Sequence, residues 1–476
     1  MTDKPEPDQS RSAVVDRALE RLYARRIDEL ESKVQTLESS LLSLSVKSET
    51  LSNAVRGHEA RLGRLRFDKQ IMGFPRWMMN RITGKSGTGL AAGPGGSRSN
   101  RRLLILAPKY PSPDSPYGGQ PVERRVRYYL AHGFDVTIFV PEARAELRED
   151  ANGALVVRGS AALIPEIVSE TGVGQICIHH PTPEFWHAVR SYVGTLAVHA
   201  WVHGYEARDW RSLGDNFTPE EMRAGRFRLD ALQVDRQRTL AEIFQDERVT
   251  KIFVSDFMKG VAEEFAGVRA NSSHVIHNVV DTEQFGYRPK TPEMRSRILV
   301  VRSFSARNYG TDMIRPVIEL LSESEGFGDL RFEIRGDGRY FVEDTKGLAR
   351  FSNVEVIRGI VSPAELRGRF AENGILLNPT RWDSQGMTVG EAMASGLVPV
   401  TNRVAAVPEF VSDESAMLAP AEDVTELAAG IRQLRENPDQ FLEKSRNASE
   451  RARAQCGPHA TVAVEVELLE AAKTPV

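Results

Sequence analysis

The sequence is poor in cysteine, with Cys177 and Cys456 as the only two among 476 residues. Two thiols so far apart in the chain exclude a disulfide framework and a cysteine-based zinc site. Long apolar runs are also missing, since no stretch approaches the roughly 18 residues that a membrane-spanning helix needs. The first residues, MTDKPEPDQSRS, contain no apolar core, so we expect no signal peptide. These absences favour a cytoplasmic protein with, at most, a peripheral place at the inner face of a membrane.

Neither sign of charge is in excess. Lys and Arg number 62 and Asp and Glu number 65, so the formal net charge is −3. This balance argues against a surface that binds nucleic acid throughout, and we expect no nucleic-acid partner. Charged residues at 27% and hydrophobic residues at 41% are typical of a globular protein. Dividing the length by roughly 150 suggests about three structural parts.

Residues 13–68 lack proline and contain only two glycines, Gly57 and Gly63, after a polar tail at residues 1–12 that we expect to be disordered. Apolar residues recur there at alternating steps of three and four. The apolar seam positions are Ile27, Leu30, Val34, Leu37, Leu41, Leu44, Leu51, Val55, Leu62 and Leu65. A period of 3.5 over this length predicts a coiled coil, and hence a homo-oligomer. The alternative is one long helix that folds back on the globular part.

Residues 69–100 divide into an amphipathic segment and a linker. The first part, QIMGFPRWMMNRIT, mixes large apolar residues with Arg76 and Arg81, so it could dock at a membrane surface or pack on the globular part. Pro75 interrupts any single helix in this segment. The second part, TGKSGTGLAAGPGGSRSN, is rich in glycine and serine, which is typical of a flexible linker.

From Arg101 onward, short apolar segments alternate with helical ones. LLILAP and DVTIFVP are early examples of such segments, and RILVVRS and GILLNPT are later ones. The alternation predicts an α/β fold in which helices cover both faces of a parallel sheet. We expect two Rossmann-like domains facing across a cleft, an acceptor domain at residues 101–285 and a donor-binding domain at 286–455. Residues 456–476 are expected to form a helix that packs back on the first domain.

The stretch DSQGMTVGE places two acids, Asp383 and Glu391, on either side of a loop and a helix start. Gly386 allows close approach of the backbone. Met387 and Thr388 would offer amide N–H groups at a helix N-terminus, where phosphate binds readily. Glu391, one turn into the helix, could then reach ribose hydroxyls, and Asp383 would face a sugar. An acid in the first turn of a helix also suits the helix dipole, so this spacing alone leaves both interpretations open.

Five further segments precede this one in a characteristic order. LLILAPKYPSPDSPYGGQ contains a glycine-rich turn at Gly118 and Gly119, and AWVHGYEARDW contains a His-Gly pair at a strand end. VSDFMKGVAEE and VIHNVVDTEQF follow, and then RGDG, which ends at Gly338. The last segment is LNPTRWDSQGMTVGEAMASGLVPV. Together the six segments resemble the retaining glycosyltransferases of family 4, which have the two-domain GT-B fold, over about residues 102–455.

The resemblance implies a donor site for a nucleotide-diphosphate sugar. Glu391 would hold the ribose, and the backbone of Gln385, Gly386, Met387 and Thr388 would cradle the sugar and the diphosphate. Arg302, with Arg307 as a second candidate, would stabilise the negative charge that the leaving diphosphate gains in the transition state. The resemblance also places the glycines Gly118, Gly119 and Gly338 at the donor. Two cations make a metal ion unnecessary, so we expect no metal site and no cofactor besides the donor substrate.

The catalytic residues that the resemblance implies are Asp383, His203 and Arg302. His203 would contact the transferred sugar or the acceptor hydroxyl, with His179 and His180 as weaker candidates for the same role. Asp383 stands where the family usually has glutamate, and its shorter side chain favours sugar binding over a role as nucleophile. Transfer would then take place on one face of the sugar, with the leaving phosphate assisting the acceptor hydroxyl.

The predicted function is therefore retaining transfer of a sugar to a hydroxyl of a glycan acceptor. Surface polysaccharide or lipid-linked oligosaccharide synthesis is the expected setting. Two alternatives remain open at this stage. One is an epimerase or phosphorylase with the same fold, and the other is a coiled-coil scaffold of a glycan-assembly complex whose catalysis is weakened by Asp383.

Overall fold

The structure is a computed structural model. It describes residues 99–112, 118–143, 146–150 and 152–472. The predicted tail, the coiled coil and nearly all of residues 69–100 lie outside these ranges, so the homo-oligomer and the membrane contact stay predictions. Within the described ranges, no helix is both long enough and apolar enough to cross a membrane.

The first half of the described chain is built on an eight-stranded sheet. Its strands are β1 (Ser99–Leu106), β2 (Asp135–Pro141), β3 (Glu146–Glu149), β4 (Leu155–Gly159), β5 (Val173–His179), β6 (Ala197–Val202), β7 (Val249–Phe253) and β8 (Ser273–Val275). Its helices are α1 (Gln120–Ala131), α2 (Ile164–Thr171), α3 (Pro183–Val189), α4 (Pro219–Gln245) and α5 (Asp256–Ala266). The strand order is β3-β4-β2-β1-β5-β6-β7-β8, and every pairing is parallel except that of β3 with β4.

The second half contains a six-stranded, fully parallel sheet. Its strands are β9 (Arg297–Ser303), β10 (Arg331–Asp337), β11 (Val354–Arg358), β12 (Ile375–Asn378), β13 (Val398–Asn402) and β14 (Met417–Ala419). Its helices are α6 (Ile314–Ser322), α7 (Phe341–Asp344), α8 (Pro363–Glu372), α9 (Met387–Ala394), α10 (Val407–Phe410), α11 (Val424–Glu436) and α12 (Pro438–Cys456). The order β11-β10-β9-β12-β13-β14 reverses direction between β9 and β12. Ligands of such sheets bind outside the carboxyl ends of the strands at this reversal.

Local sequence explains why these elements form where they do. The central strand β1 ends in four apolar residues, 103–106, that are fully buried, as expected for a parallel strand covered by helices on both faces. Helix α4 begins with a capping box in which Thr218 and Glu221 satisfy each other's backbone N–H groups, and Ser362 and Glu365 do the same for α8. The predicted fold class, two parallel-sheet α/β domains, is confirmed.

A last helix, α13 (Val462–Ala471), packs on the first half after the chain leaves α12. Val466 and Leu469 are buried in the same hydrophobic core as Leu103 of β1. The Gln175 side chain donates a hydrogen bond of 2.8 Å to the Leu469 carbonyl. The chain therefore crosses from the second half back to the first, and the first core is complete only with residues from the C-terminal end of the described chain.

Glu465 of α13 is the polar centre of this contact. Its carboxylate is fully buried and accepts hydrogen bonds from Arg125 at 2.9 and 3.0 Å, from the Tyr129 hydroxyl at 2.6 Å and from the Trp201 indole at 3.0 Å. Arg125 is equally buried and also donates to Asn278 at 2.8 Å. Both charges are thus paired and hydrogen-bonded, as buried charges must be.

Replacing Glu465 by alanine is expected to lower the free energy of unfolding by about 3–5 kcal/mol, because it leaves the Arg125 guanidinium buried without its counter-ion. The matched control is Glu470→Ala on the same helix. Glu470 pairs with Arg101 at 2.6 Å but is 44% exposed, so its loss should cost less than about 1 kcal/mol. Denaturant unfolding of both variants measures the difference, and equal losses would contradict the prediction.

Candidate active site

Arg302 and Asp383 meet at the carboxyl edge of the second sheet, where the strand order reverses. Arg302 lies near the end of β9, and Asp383 lies in the loop between β12 and α9. The Arg302 Nη2 is 3.7 Å from the Asp383 Oδ2 and donates a hydrogen bond of 3.0 Å to the Thr380 hydroxyl. The guanidinium also lies over the Tyr309 ring at 5.0 Å. These contacts hold the arginine in one orientation.

Burial dominates the electrostatics of this pair. The Arg302 side chain is 8% exposed, and burial lowers the pKa of its guanidinium, an effect that Asp383 opposes. Burial likewise raises the pKa of Asp383, whereas Arg302 and the amide N–H of Gln385, which donates to Oδ1 at 3.2 Å, act in the other direction. Asp383 is therefore an oriented acceptor beside a fixed cation.

The N-terminus of α9 lies beside this pair. Met387 and Thr388 begin the helix, and Glu391 follows one turn later. The Glu391 carboxylate forms an ion pair with Arg124, which comes from α1 of the first half, and each of the two side chains is only 6% exposed. Burial raises the pKa of Glu391, and Arg124 opposes the shift. The two halves are thus joined by a buried ion pair directly at the predicted donor site.

A cleft of about 790 Å³ opens between α1 and the carboxyl edge of the second sheet. Five of the predicted residues line it: Arg302, Gly338, Met387, Thr388 and Glu391. Other residues of the second half that line it include Ser305, Asp337, Arg339, Arg358, Gly359, Ile360 and Val361, and the first half contributes Gln120, Pro121 and Arg124. The cleft therefore combines several guanidinium groups with a helix N-terminus, a combination suited to a phosphate-bearing ligand.

Gly119 and Gly338 allow backbones to approach one another at this cleft. Gly119 has φ 73° and precedes α1, and a side chain there would overlap the Lys109 carbonyl. Gly338 has φ 144°, and a side chain there would overlap the backbone of Phe304 and Ser305 after β9. Gly118 lies in the same turn as Gly119. Gly338 therefore lines the cleft directly, whereas Gly119 sets the start of α1.

Gln385 joins the two halves through its side chain. Its amide accepts a hydrogen bond from the Asn278 N–H at 2.6 Å and donates to the Asn278 carbonyl at 3.0 Å, which imitates a pair of backbone hydrogen bonds. It also contacts the Cys456 sulfur at 3.5 Å. Gln385 and the following Gly386 are not among the residues that line the cleft. Gln385 therefore anchors the loop to the backbone of the first half.

Arg307 is directed away from the cleft. Its guanidinium is 2.7 Å from Asp344 and 3.2 Å from Glu343, and it lies over the Tyr340 ring at 3.7 Å. Its backbone N–H donates to the Asn216 side chain at 2.6 Å. With Asp312 at 4.0 Å, three carboxylates surround its charge, and Arg307 is not among the residues that line the cleft with Arg302.

His203 lies in a stack of aromatic rings at the carboxyl edge of the first sheet. Its Nε2 is 2.9 Å from the His179 Nδ1, and its ring is stacked on His180 at 4.3 Å. Burial holds the pKa of His203 well below the usual value, so this imidazole is neutral near pH 7. Gly204 follows it and packs against Trp382 and Ser384, the two neighbours of Asp383. The residue after His203 therefore contacts the loop of the second half that carries Asp383.

Glu206 contacts two residues of this stack, His180 and His203. It is buried and accepts hydrogen bonds from the backbone N–H groups of His203 and Gly204, and its Oε2 is 3.0 Å from the His180 Nδ1. Burial acts to raise the pKa of Glu206, but His180 and the backbone N–H groups outweigh burial and lower it. His180 itself has φ 56°, a conformation that few residues other than glycine adopt. The loop after β6 is thus held by an ionised carboxylate.

The described part of the chain brings together no group of three or more His, Cys, Asp or Glu side chains that could hold a metal ion. The charged residues that line the cleft are Arg124, Arg302, Asp337, Arg339, Arg358 and Glu391.

Residues 295–437 match the family model described as Glycosyl transferases group 1. The match lies within the second half and covers less than a third of the whole chain, and the matched residues are named the group 1 domain after that description. A Klebsiella pneumoniae protein described as an uncharacterized 41.2 kDa protein in the cps region is 32% identical over 171 residues, which make up 34% of this chain and 45% of that protein. The chain spans less than half the length of the curated relatives that it matches.

Solved structures extend the likeness to both halves. Sucrose-phosphate synthase from Thermosynechococcus elongatus superimposes with a TM-score of 0.60 at 14% identity, over 78% of this chain and 98% of that chain. The Anabaena protein HepE, solved in complex with UDP-glucose, gives a TM-score of 0.58 at 14% identity, over 78% of this chain and 100% of that chain. At this identity the likeness shows the fold, so the group 1 domain and the sheet before it form a GT-B-like pair.

Sequence reasoning missed Arg124, Arg339 and Arg358, which line the cleft. Arg339 directly follows the Gly338 turn, and Arg358 ends β11, so their places next to strand ends were a usable signal. Arg124 carried no such signal, because it lies inside α1 of the other half. Its role depends on how the two halves pack.

Gly338→Ala is expected to destabilise the protein by about 1–3 kcal/mol more than Gly359→Ala, because only the first methyl group overlaps backbone atoms. Both glycines line the cleft, and Gly359 has a similar φ of 152° with no atom within 4 Å of an added Cβ. Both variants therefore pay the cost of a φ that alanine rarely adopts. The difference between their free energies of unfolding measures the clash of the new methyl group with the backbone of Phe304 and Ser305. Denaturant unfolding of both variants measures it. Equal destabilisation would show that the strands are free to move apart.

Proposed function

We propose that this protein is a retaining glycosyltransferase that moves a sugar from a nucleotide-diphosphate sugar to a hydroxyl of a glycan acceptor. The observation that carries the proposal is the convergence of Arg302, the N-terminus of α9 and Glu391 on one cleft of about 790 Å³. A fixed guanidinium and helix amides suit a diphosphate. A carboxylate one turn further along the helix suits ribose hydroxyls. The match of residues 295–437 to Glycosyl transferases group 1 also supports sugar transfer.

The proposed reaction proceeds on one face of the sugar. The bond between the anomeric carbon and the diphosphate oxygen breaks, and its electron pair leaves with the diphosphate. The acceptor hydroxyl oxygen bonds to the anomeric carbon from the same side, and its proton passes to the leaving phosphate. Arg302 stabilises the developing negative charge because its orientation is already set by Thr380 and Asp383.

The sugar itself would lie towards Asp383 and His203. Asp383 is held beside Arg302 and offers a carboxylate to sugar hydroxyls, and its short side chain favours binding over covalent attack. The neutral His203 imidazole can accept or donate a hydrogen bond without adding charge. The contact of Gly204 with Trp382 and Ser384 brings the first half next to the loop that carries Asp383. An acceptor on the first half would thus meet a donor on the second.

The acceptor is proposed to be a polysaccharide or a lipid-linked oligosaccharide. The Klebsiella relative belongs to a cps region, and the Anabaena neighbour was solved with UDP-glucose. UDP-glucose is accordingly the first donor to test, alongside GDP- and ADP-linked sugars.

Arg302→Ala is expected to lower the rate of sugar transfer by roughly 100- to 1000-fold, because the leaving diphosphate loses a preorganised cation. The rate is measured as nucleoside diphosphate released in the presence of acceptor, and circular dichroism verifies that the variant is folded. Arg302→Lys keeps the charge but not the planar guanidinium, so its transfer rate should lie between those of the wild type and Arg302→Ala.

The matched control is Arg331→Ala. Arg331 begins β10 at the opposite edge of the same sheet, where it donates to the carbonyls of Gly328 and Leu330. Transfer by this variant should stay near the wild-type rate. Wild-type turnover by Arg302→Ala would refute the assignment of Arg302 to the diphosphate.

Transfer is expected to persist after treatment with EDTA, because Arg302 and Arg339 supply the positive charge that a metal ion would otherwise provide. The transfer rate is measured before chelation, after chelation and after addition of magnesium or manganese. A loss of activity that either ion restores would show that the arginines are insufficient.

A further inference from the structure

Arg124 is the one guanidinium that the described first half contributes to the cleft lining. It lies one turn into α1, whose start is set by the glycine turn at Gly119 and by Pro121 in the first turn. It therefore reaches the group 1 domain from the other side of the cleft. Neither the family match at residues 295–437 nor the predicted donor residues include it.

Three contacts fix the Arg124 side chain. Its Nη2 pairs with the Glu391 Oε1 and is 3.3 Å from the Gln120 Oε1, and its Nη1 donates to the Val279 carbonyl at 3.4 Å. Both partners of the ion pair are only 6% exposed. A buried pair of this kind has little freedom to rearrange, because separating the charges leaves each without a counter-ion.

We propose that Arg124 is a positioning residue for ribose recognition, holding the Glu391 carboxylate through Oε1 so that Oε2 is directed to the ribose hydroxyls of the donor nucleotide. This role rests on the proposed function, since it requires a nucleoside diphosphate in the cleft. It also makes ribose recognition by the second half depend on a residue of the first half.

The charges around Glu391 determine what removal of Arg124 does. Burial and the nearby Asp281 raise the pKa of Glu391, and Arg124 is the group that lowers it. Asp281 is in turn paired with Arg127 of α1 at 3.3 Å. Without Arg124, Glu391 therefore takes up its proton at a higher pH than in the wild type. A protonated carboxyl group is a weaker hydrogen-bond acceptor than a carboxylate.

The first experiment measures ribose discrimination. UDP, GDP and ADP and their 2′-deoxy counterparts are titrated calorimetrically into the wild type and into Arg124→Gln and Arg124→Lys. The wild type should prefer the ribose form by at least about tenfold for the base that it binds, as expected for a hydrogen bond to a charged group. Arg124→Gln should lose most of this preference, and Arg124→Lys should retain part of it.

The second experiment follows the same ratio of affinities between pH 8 and pH 5.5. Each deoxy nucleotide carries the same phosphates as its ribose counterpart, so titration of the phosphate cancels in the ratio. The wild-type ratio should fall only at the acid end, whereas the ratio for Arg124→Gln should already be low near neutral pH and fall at a higher pH than in the wild type. In Glu391→Gln, which has no proton to take up, the ratio should be low and flat.

Arg101→Gln is the matched control, because Arg101 is an arginine of the first half that pairs with Glu470 at 2.6 Å and with neither Glu391 nor Asp281. It should keep the wild-type preference for ribose. A wild type that binds no nucleoside diphosphate would overturn the proposed function and this role together. Ribose preference in Arg124→Gln equal to the wild type at every pH would overturn the role of Arg124 alone, as would a wild type that binds but does not discriminate.

Discussion

The buried ion pair of Arg124 and Glu391 is the interaction on which the cleft depends, because each half contributes one of its charges. A guanidinium or a carboxylate buried alone costs several kcal/mol, so each side chain needs the other in place. The pair stands at the wall of the cleft, next to the N-terminus of α9. Its geometry therefore sets both the distance between the halves at this point and the orientation of an acid that the donor is proposed to contact.

Polar contacts extend this junction along the loop that carries Asp383. Gln385 binds the backbone of Asn278, the Ser255 hydroxyl donates to the Ser384 carbonyl at 2.8 Å, and the Arg208 guanidinium covers the Trp382 ring at 4.0 Å. Asn278 also accepts from Arg125, which is bound to Glu465 of the returning helix α13. The loop that carries Asp383 is thus held by the first half and is linked through Asn278 and Arg125 to the C-terminal helix.

Much of the fold follows from local pattern. Alternating apolar strands and helices predict two parallel sheets because strands covered on both faces must be apolar throughout. Gly338 was identified only through the resemblance of its RGDG segment to the glycosyltransferase family, whereas Arg302 was also favoured because strand ends meet at one edge of a sheet. Arg307 has the same kind of position, yet Asp344 and Glu343 bind its charge away from the cleft. Position relative to a strand therefore predicted where a residue lies but not which partner its side chain takes.

The sequence by itself predicted the alternation of strands and helices, the resemblance to family 4 glycosyltransferases, and a loop and helix start between Asp383 and Glu391. The tertiary structure alone decided that Glu391 faces an arginine of the other half and that Gln385 supports the loop rather than lining the cleft. The physical reason is the separation along the sequence of the residues that interact. Burial pattern and helix capping depend on neighbours within a few residues, whereas the partner of a buried charge is chosen among groups that are distant in sequence, as Arg124 and Glu391 are.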